Sequence, residues 1–207
     1  MLSLQTGLAF FSVAVLLALS PGPDNVFVLV HAAQHGVRAG VLVVLGLCTG
    51  LLFHTAAVAL GLAALLEASQ LAFGVLKGVG AVYLIWLAWL SWRAPTGLLE
   101  GQAAQGLSAR QTYARGIIMN ATNPKVAIFF LAFLPQFVDP ALGPVQWQVL
   151  QLGACFGLAS LVVFGGIAAL AGRFGQRLRA SAKAQQALNR MAAVVFVALA
   201  LRLAWLS

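Results

Sequence analysis

Acidic side chains are nearly missing from this chain. Four Asp and Glu stand against twelve Lys and Arg in 207 residues, and charged residues of all kinds make up only 8%. A soluble domain carries about a quarter charged residues, so a soluble globular protein is excluded. Four scattered acids also leave no pair of inward carboxylates for hydrolytic chemistry. HExxH, phosphate-loop and Ser/His/Asp patterns are missing too, so no enzyme is expected, nor any cofactor or bound metal. Only two cysteines occur, Cys48 and Cys155, both inside long apolar runs. They are expected to be small packing residues rather than a disulfide. Lys and Arg are missing ahead of the first apolar stretch, where a secretion signal requires them, so the segment ending in Leu17-Ala18-Leu19-Ser20 is expected to be retained.

Hydrophobic residues fill the space that charge leaves, at 62% of the chain, with a mean hydropathy of +0.97. That composition belongs to an integral membrane protein. A hydrocarbon core of about 30 Å takes roughly 20 helical residues, so the length leaves room for about six spans and almost nothing else. The apolar runs fall at Leu4 to Ala33, interrupted at Pro21 to Pro23; Val41 to Leu66; Leu71 to Trp92; Arg115 to Phe137, interrupted at Asn123-Pro124; Val145 to Leu170; and Leu188 to Leu206. The first is too long for one straight span. The runs are continuous rather than alternating, which excludes a barrel. One transmembrane domain over residues 1–207 is expected, all helical, with no separate soluble domain.

A net charge of +8 and a pI near 10.9 suggest nucleic acid at first sight. The positions of the charges argue for topology instead. With six spans, one side receives Arg38, Arg93, Arg110, Arg115, Arg173, Arg177, Arg179, Lys183 and Arg190, and the other receives Glu67 and Asp139. Lys77 and Arg202, near span ends on the second side, can snorkel outward. Positive loops stay in the cytoplasm, so both termini are expected in the periplasm. The lipid bilayer is the expected partner, and no nucleic acid.

The order of the runs repeats. Leu45-Gly46-Leu47-Cys48-Thr49-Gly50-Leu51 resembles Leu152-Gly153-Ala154-Cys155-Phe156-Gly157-Leu158, and Leu87-Ala88-Trp89-Leu90-Ser91 recurs as Leu203-Ala204-Trp205-Leu206-Ser207. The two proline breaks occupy matching places ahead of them. A unit of three spans crosses the membrane an odd number of times, so its second copy is inverted: residues 1–92, a cytoplasmic linker over 93–114, and residues 115–207. Inverted repeats with broken helices are a recurrent transporter construction, because two similar halves can rock around a shared site.

The breaks carry the candidate site. Laying Pro23 on Pro124 sets Asp24 on Lys125, an acid on a base, each followed by apolar residues. Proline lacks an amide hydrogen and clashes one turn back, so Pro21, Gly22, Pro23 and Pro124 are expected to leave carbonyls unpaired in the membrane and to start new half-helices. The free amides and positive end of a half-helix suit a carboxylate, while Asp24 suits an ammonium. Asp24 is accordingly a candidate for binding substrate and for proton coupling, or else a helix cap. Lys125 is a candidate for the substrate carboxylate, or else a structural ion pair with Asp24. Asn25, Asn120 and Asn123 either contact substrate or satisfy freed backbone. His54, near the middle of the second span, either relays protons or bonds to a backbone carbonyl. His31 and His35 are expected to be solvated at the cytoplasmic end.

Trp86, Trp89, Trp92, Trp147 and Trp205 fall where interfacial rings belong. Gly46 and Gly50, Gly74 and Gly78, and Gly153 and Gly157 are one turn apart, and are expected to build close helix contacts or a homodimer face.

Ser20-Pro21-Gly22-Pro23-Asp24-Asn25 and Met119-Asn120-Ala121-Thr122-Asn123-Pro124-Lys125, the latter running on to Phe137, resemble the two motifs of the lysine exporter and homoserine/threonine resistance (LysE/RhtB) family. The resemblance covers nearly the whole length. It implies a bacterial inner-membrane exporter of amino acids or close derivatives, driven by the proton motive force. Export rather than import is implied by the resemblance alone. Because one acid lies deep in the membrane, a second cation on the substrate would lack a partner, and small neutral amino acids are expected. The alternatives are a small-ion or metal exporter, for which the carboxylates are too few, and a scaffold or lipid-handling protein without directed transport.

Overall fold

The computed structural model describes residues 2–20, 22–68, 70–94, 107–179 and 182–205. Among these residues helices are joined by short turns and no strand occurs. The elements are α1 (Leu4–Leu19), α2 (Pro23–His35), α3 (Val37–Ala68), α4 (Gln70–Arg93), α5 (Ala109–Ala121), α6 (Pro124–Ile128), α7 (Val145–Arg179) and α8 (Ala182–Trp205). A π-helical turn at Phe129–Phe133 and 3₁₀ turns at Leu134–Phe137 and Pro140–Leu142 join α6 to α7.

Local chemistry sets the boundaries. Ser3 caps α1 by accepting from the Thr6 amide. Ser108 and Gln111 form a reciprocal capping box at the start of α5, which satisfies two orphan amides. With that box α5 begins at Ala109, ahead of the apolar run from Arg115 and inside the stretch expected to be linker. Residues 95–106 of that linker lie outside the described residues. Gly36, with φ 86, turns the chain between α2 and α3, a conformation open to glycine at little cost.

Among the described residues three helices contain a stretch long and apolar enough to cross a membrane: Val37–Gly61, Gly74–Arg93 and Val145–Arg173. The pairs α1 with α2, bent by 63°, and α5 with the segment Pro124–Phe137, bent by 45°, meet the same test together, giving up to five spans. The sixth expected run falls on α8, 24 residues of helix standing outside that set.

Helix α3 lies at the centre, packed on α5 and α7, while α4 packs on α8 and α2 on both α7 and α3. Two apolar clusters result. One gathers Phe10, Phe129, Phe130, Phe133, Phe156 and Phe196; the other gathers Val28, Val43, Leu47, Phe164 and Ala168. The segment after the second break belongs to the first cluster through Val126, Phe129 and Phe130, and α2 to the second through Val28 and Ala32. Large apolar side chains such as Val79, Val82, Ile85 and Trp86 of α4 point outward, the face a lipid-embedded helix shows.

The glycine pairs separate into two groups. A Cβ at Gly46 would run into the Tyr113 carbonyl, and one at Gly116 would meet the Val43 carbonyl at 2.6 Å, so α3 and α5 touch backbone to backbone. Gly153 is held as closely by Thr55 of α3. Gly74 and Gly78 have nothing within 4 Å of a built Cβ. The expectation that they join the bundle core is corrected: among the described residues nothing packs on that face of α4.

Candidate functional site

Both breaks begin a half-helix with proline. Pro23 is the first residue of α2 and Pro124 the first of α6, where the missing amide hydrogen has no intrahelical partner to lose. Pro21 lies outside the described residues. Asp24 and Lys125 are therefore both second residues of their half-helices, and both are buried, 1% and 6% exposed.

Asp24 stands in favourable register with the positive end of α2. Its Oδ2 accepts from Asn123 Nδ2 at 2.9 Å and from Asn120 Nδ2 at 3.5 Å, so the two asparagines of the second break hold the acid of the first. Its Oδ1 is buried without a hydrogen-bond partner. Asn123 also caps α6, accepting the Lys125 amide at 3.0 Å through Oδ1. Asn25 donates to the Ala18 carbonyl at 2.7 Å, a group released where α1 ends. Asn25 and Asn123 thus satisfy freed backbone, the second of the two readings given above, and Asn120 and Asn123 hold Asp24.

Lys125 sits at the wrong end of its own helix, where the dipole repels a cation. The end of α1 compensates. Lys125 Nζ donates to the Leu17 carbonyl at 3.3 Å, the Ser20 carbonyl at 3.1 Å and Ser20 Oγ at 3.3 Å, so a negative helix end receives the ammonium. Gly22 makes the approach feasible: a Cβ there would stand 3.1 Å from Nζ. Sequence reasoning missed Leu17 and Ser20 as partners. Any residue has a carbonyl, and no letter marks the one that a distant side chain will reach.

His54 Nε2 donates to the Asn120 carbonyl at 2.9 Å, the backbone bond given above as the alternative to proton relay. The link ties α3 to the last turn of α5 and fixes the residue whose side chain reaches Asp24. His31 corrects an expectation. It is buried at 2% exposure, stacked between Phe27 and His35 with ring centroids 5.4 and 4.6 Å away, its Nε2 3.3 Å from Thr112 Oγ1. Packing of α2 against α5 and α7 covers it, while His35, one turn on, is exposed.

The structure thus brings together Asp24, Asn25, Asn120, Asn123, Lys125 and His54 from α2, α3, α5 and α6. Among the described residues no group of three or more His, Cys, Asp or Glu is placed to hold a metal ion.

The family described as LysE type translocator matches residues 15–207. A homoserine/homoserine lactone efflux protein of Salmonella typhimurium (strain LT2) is 36% identical over 189 residues, covering 91% of each chain. A membrane protein of Vibrio cholerae named as uncharacterized is 31% identical over 98% of each. A leucine efflux protein of Klebsiella pneumoniae is 34% identical over 130 residues, 61% of this chain and 60% of the relative. No solved structure matches the chain.

Proposed function

The chain belongs to the LysE type translocator family, a membrane transport protein and not an enzyme, and from that premise we propose that it exports small neutral amino acids or close derivatives by proton antiport. The observation that carries the reading is Asp24: a buried carboxyl with one oxygen held by two asparagines and the other unpartnered. A buried carboxyl oxygen without a donor is costly, so a ligand that supplies one is bound favourably. The efflux names of the relatives favour amino acids as that ligand. A substrate ammonium or a proton occupies Asp24, never both, and that exclusion is the basis of antiport.

Lys125 enters this reading as a brace. Its three acceptors already belong to the protein, so it fixes the end of α1 beside Asp24. The six-span architecture with inverted halves is part of the proposal, supported by the equivalent places of Asp24 and Lys125 and by the two bent pairs. So are the bacterial inner membrane and periplasmic termini, supported by the one-sided Arg and Lys.

The test is purified protein in liposomes with an imposed pH gradient and a panel of labelled amino acids. The gradient should drive accumulation of small neutral amino acids, with arginine and lysine poor substrates. Efficient arginine transport with poor transport of neutral ones would overturn the specificity, and indifference to the gradient would overturn the antiport.

A further inference from the structure

The two broken segments run from their breaks to opposite ends of α7. The second leads to Asp139, whose carbonyl accepts from Gln148 near the start of α7 at 2.8 Å. The first leads to Val37, which a Cβ at Gly172 near the end of α7 would meet at 2.6 Å. About 36 Å of helix separates Gln148 from Gly172. Each segment meets an arginine of another helix on its way out. On the first, the ring of Phe27, one turn past Asp24, faces the Arg115 guanidinium of α5 at 5.1 Å and stacks on His31 at 5.4 Å, and His31 reaches Thr112 of α5. On the second, the rings of Phe133 and Phe137, two and three turns past Lys125, face the Arg202 guanidinium of α8 at 5.7 and 4.8 Å. Asp24 and Lys125, at the breaks themselves, are buried.

We infer that Arg115 and Arg202 are paired positioning residues, each holding the buried site closed at its own end, so that releasing either one favours opening at that end. A transport site must open to its two ends in turn, and the seams differ in what can part. Helices α3 and α5 meet backbone to backbone at Gly46 and Gly116, and backbone cannot turn aside. Helix α2 meets α5 through the side chains of Asp24, Phe27 and His31, which can. Both arginines are exposed, and an exposed guanidinium over a ring face shifts an equilibrium by about two- to fivefold. That is enough to bias which end is closed and little enough to be released. The inference rests on the proposal that Asp24 and its neighbours form the transport site.

A reporter thiol tests it: Ser20→Cys in the whole chain, with Cys48 and Cys155 replaced by alanine. Ser20 is 1% exposed and contacts Lys125, so a thiol there is labelled only from an end that has opened. Labelling rates with an impermeant thiol reagent are read in intact cells and in inverted vesicles, and the ratio of the two is compared between variants. Under the proposed topology Arg115→Gln should shift labelling toward the cytoplasmic face and Arg202→Gln toward the outer face, each by about two- to fivefold. The double variant should return the ratio to that of the parent, and Lys at either position, which keeps a cation for the ring, should move it less. An inverted topology swaps both signs and leaves them opposed. Shifts of like sign, or none, would overturn the inference, since an arginine with a merely structural role lowers yield without changing the ratio. If the reporter fails to fold, the arginine variants with native Ser20 carry the test through the half-saturation concentration of labelled alanine in counterflow from each face, whose ratio should move in opposite directions. Opposed labelling shifts in a protein idle in counterflow uphold the inference and count against amino-acid export. Alanine exchange with shifts of one sign overturns the inference and leaves the proposed function standing.

Discussion

At the scale of single residues, the candidate site depends on one carboxyl and one ammonium held by different means. Asp24 is held by side chains and keeps an open oxygen; Lys125 is held by backbone and keeps none. Replacing Asp24 by Asn should abolish pH-gradient-driven export while the protein still inserts, measured by transport in liposomes beside membrane yield. Normal gradient-driven export by that variant would remove Asp24 from the coupling role. Lys125→Met should act on stability, because it leaves the Ser20 carbonyl without its Nζ donor and the Leu17 carbonyl with the Ser20 amide alone, at about 1–3 kcal/mol for an unsatisfied group. An unchanged midpoint of thermal unfolding in detergent would refute the brace. His54→Gln should keep gradient-driven export, since a Gln amide can still donate to the Asn120 carbonyl; loss of coupling with retained counterflow would make His54 a proton carrier after all. Asp24, Asn25, Asn120, Asn123 and Lys125 were legible in the sequence because polar residues beside proline are conspicuous in an apolar chain. The Leu17 and Ser20 carbonyls were not, because backbone groups carry no signature until the fold brings a donor to them.

At the scale of elements, the two half-helix starts work only if α3 holds α5 in place. The contact is made through Gly46 and Gly116, where added Cβ atoms would meet backbone rather than a yielding side chain. Backbone cannot rotate away, so Gly46→Leu should abolish recovery of folded protein, whereas Gly78→Leu, on the open face of α4, should leave yield and unfolding midpoint unchanged. Size-exclusion profiles of the two variants, compared after identical purification, check both. If Gly78→Leu also fails, the open face of α4 is covered in the membrane, as a homodimer would cover it. The sequence offered six glycines at equal spacing and could not rank them, because spacing along one helix does not say which neighbour faces it.

At the scale of the whole molecule, topology follows from charge. Nine basic residues fall on one side of the expected spans, so a cysteine placed at Gly101 should be protected from an impermeant thiol reagent in intact cells, and one at Ser207 should be labelled. Labelling at position 101 without permeabilisation would reverse the orientation. The sequence alone determined the all-helical membrane class, the places of both breaks, and the family motifs that the match over residues 15–207 bears out. These are local properties: hydropathy, proline chemistry and charge act along the chain, and each can be evaluated without knowing what lies beside it. The tertiary structure decided which residues share the site, and how. It placed His31 in the interior, drew Lys125 to the end of α1, turned both amides of the second break toward Asp24, and left Asp24 Oδ1 without a hydrogen-bond partner. In a bilayer every freed backbone group must find a partner, and the partner is chosen by proximity between segments about a hundred residues apart, which no local pattern encodes.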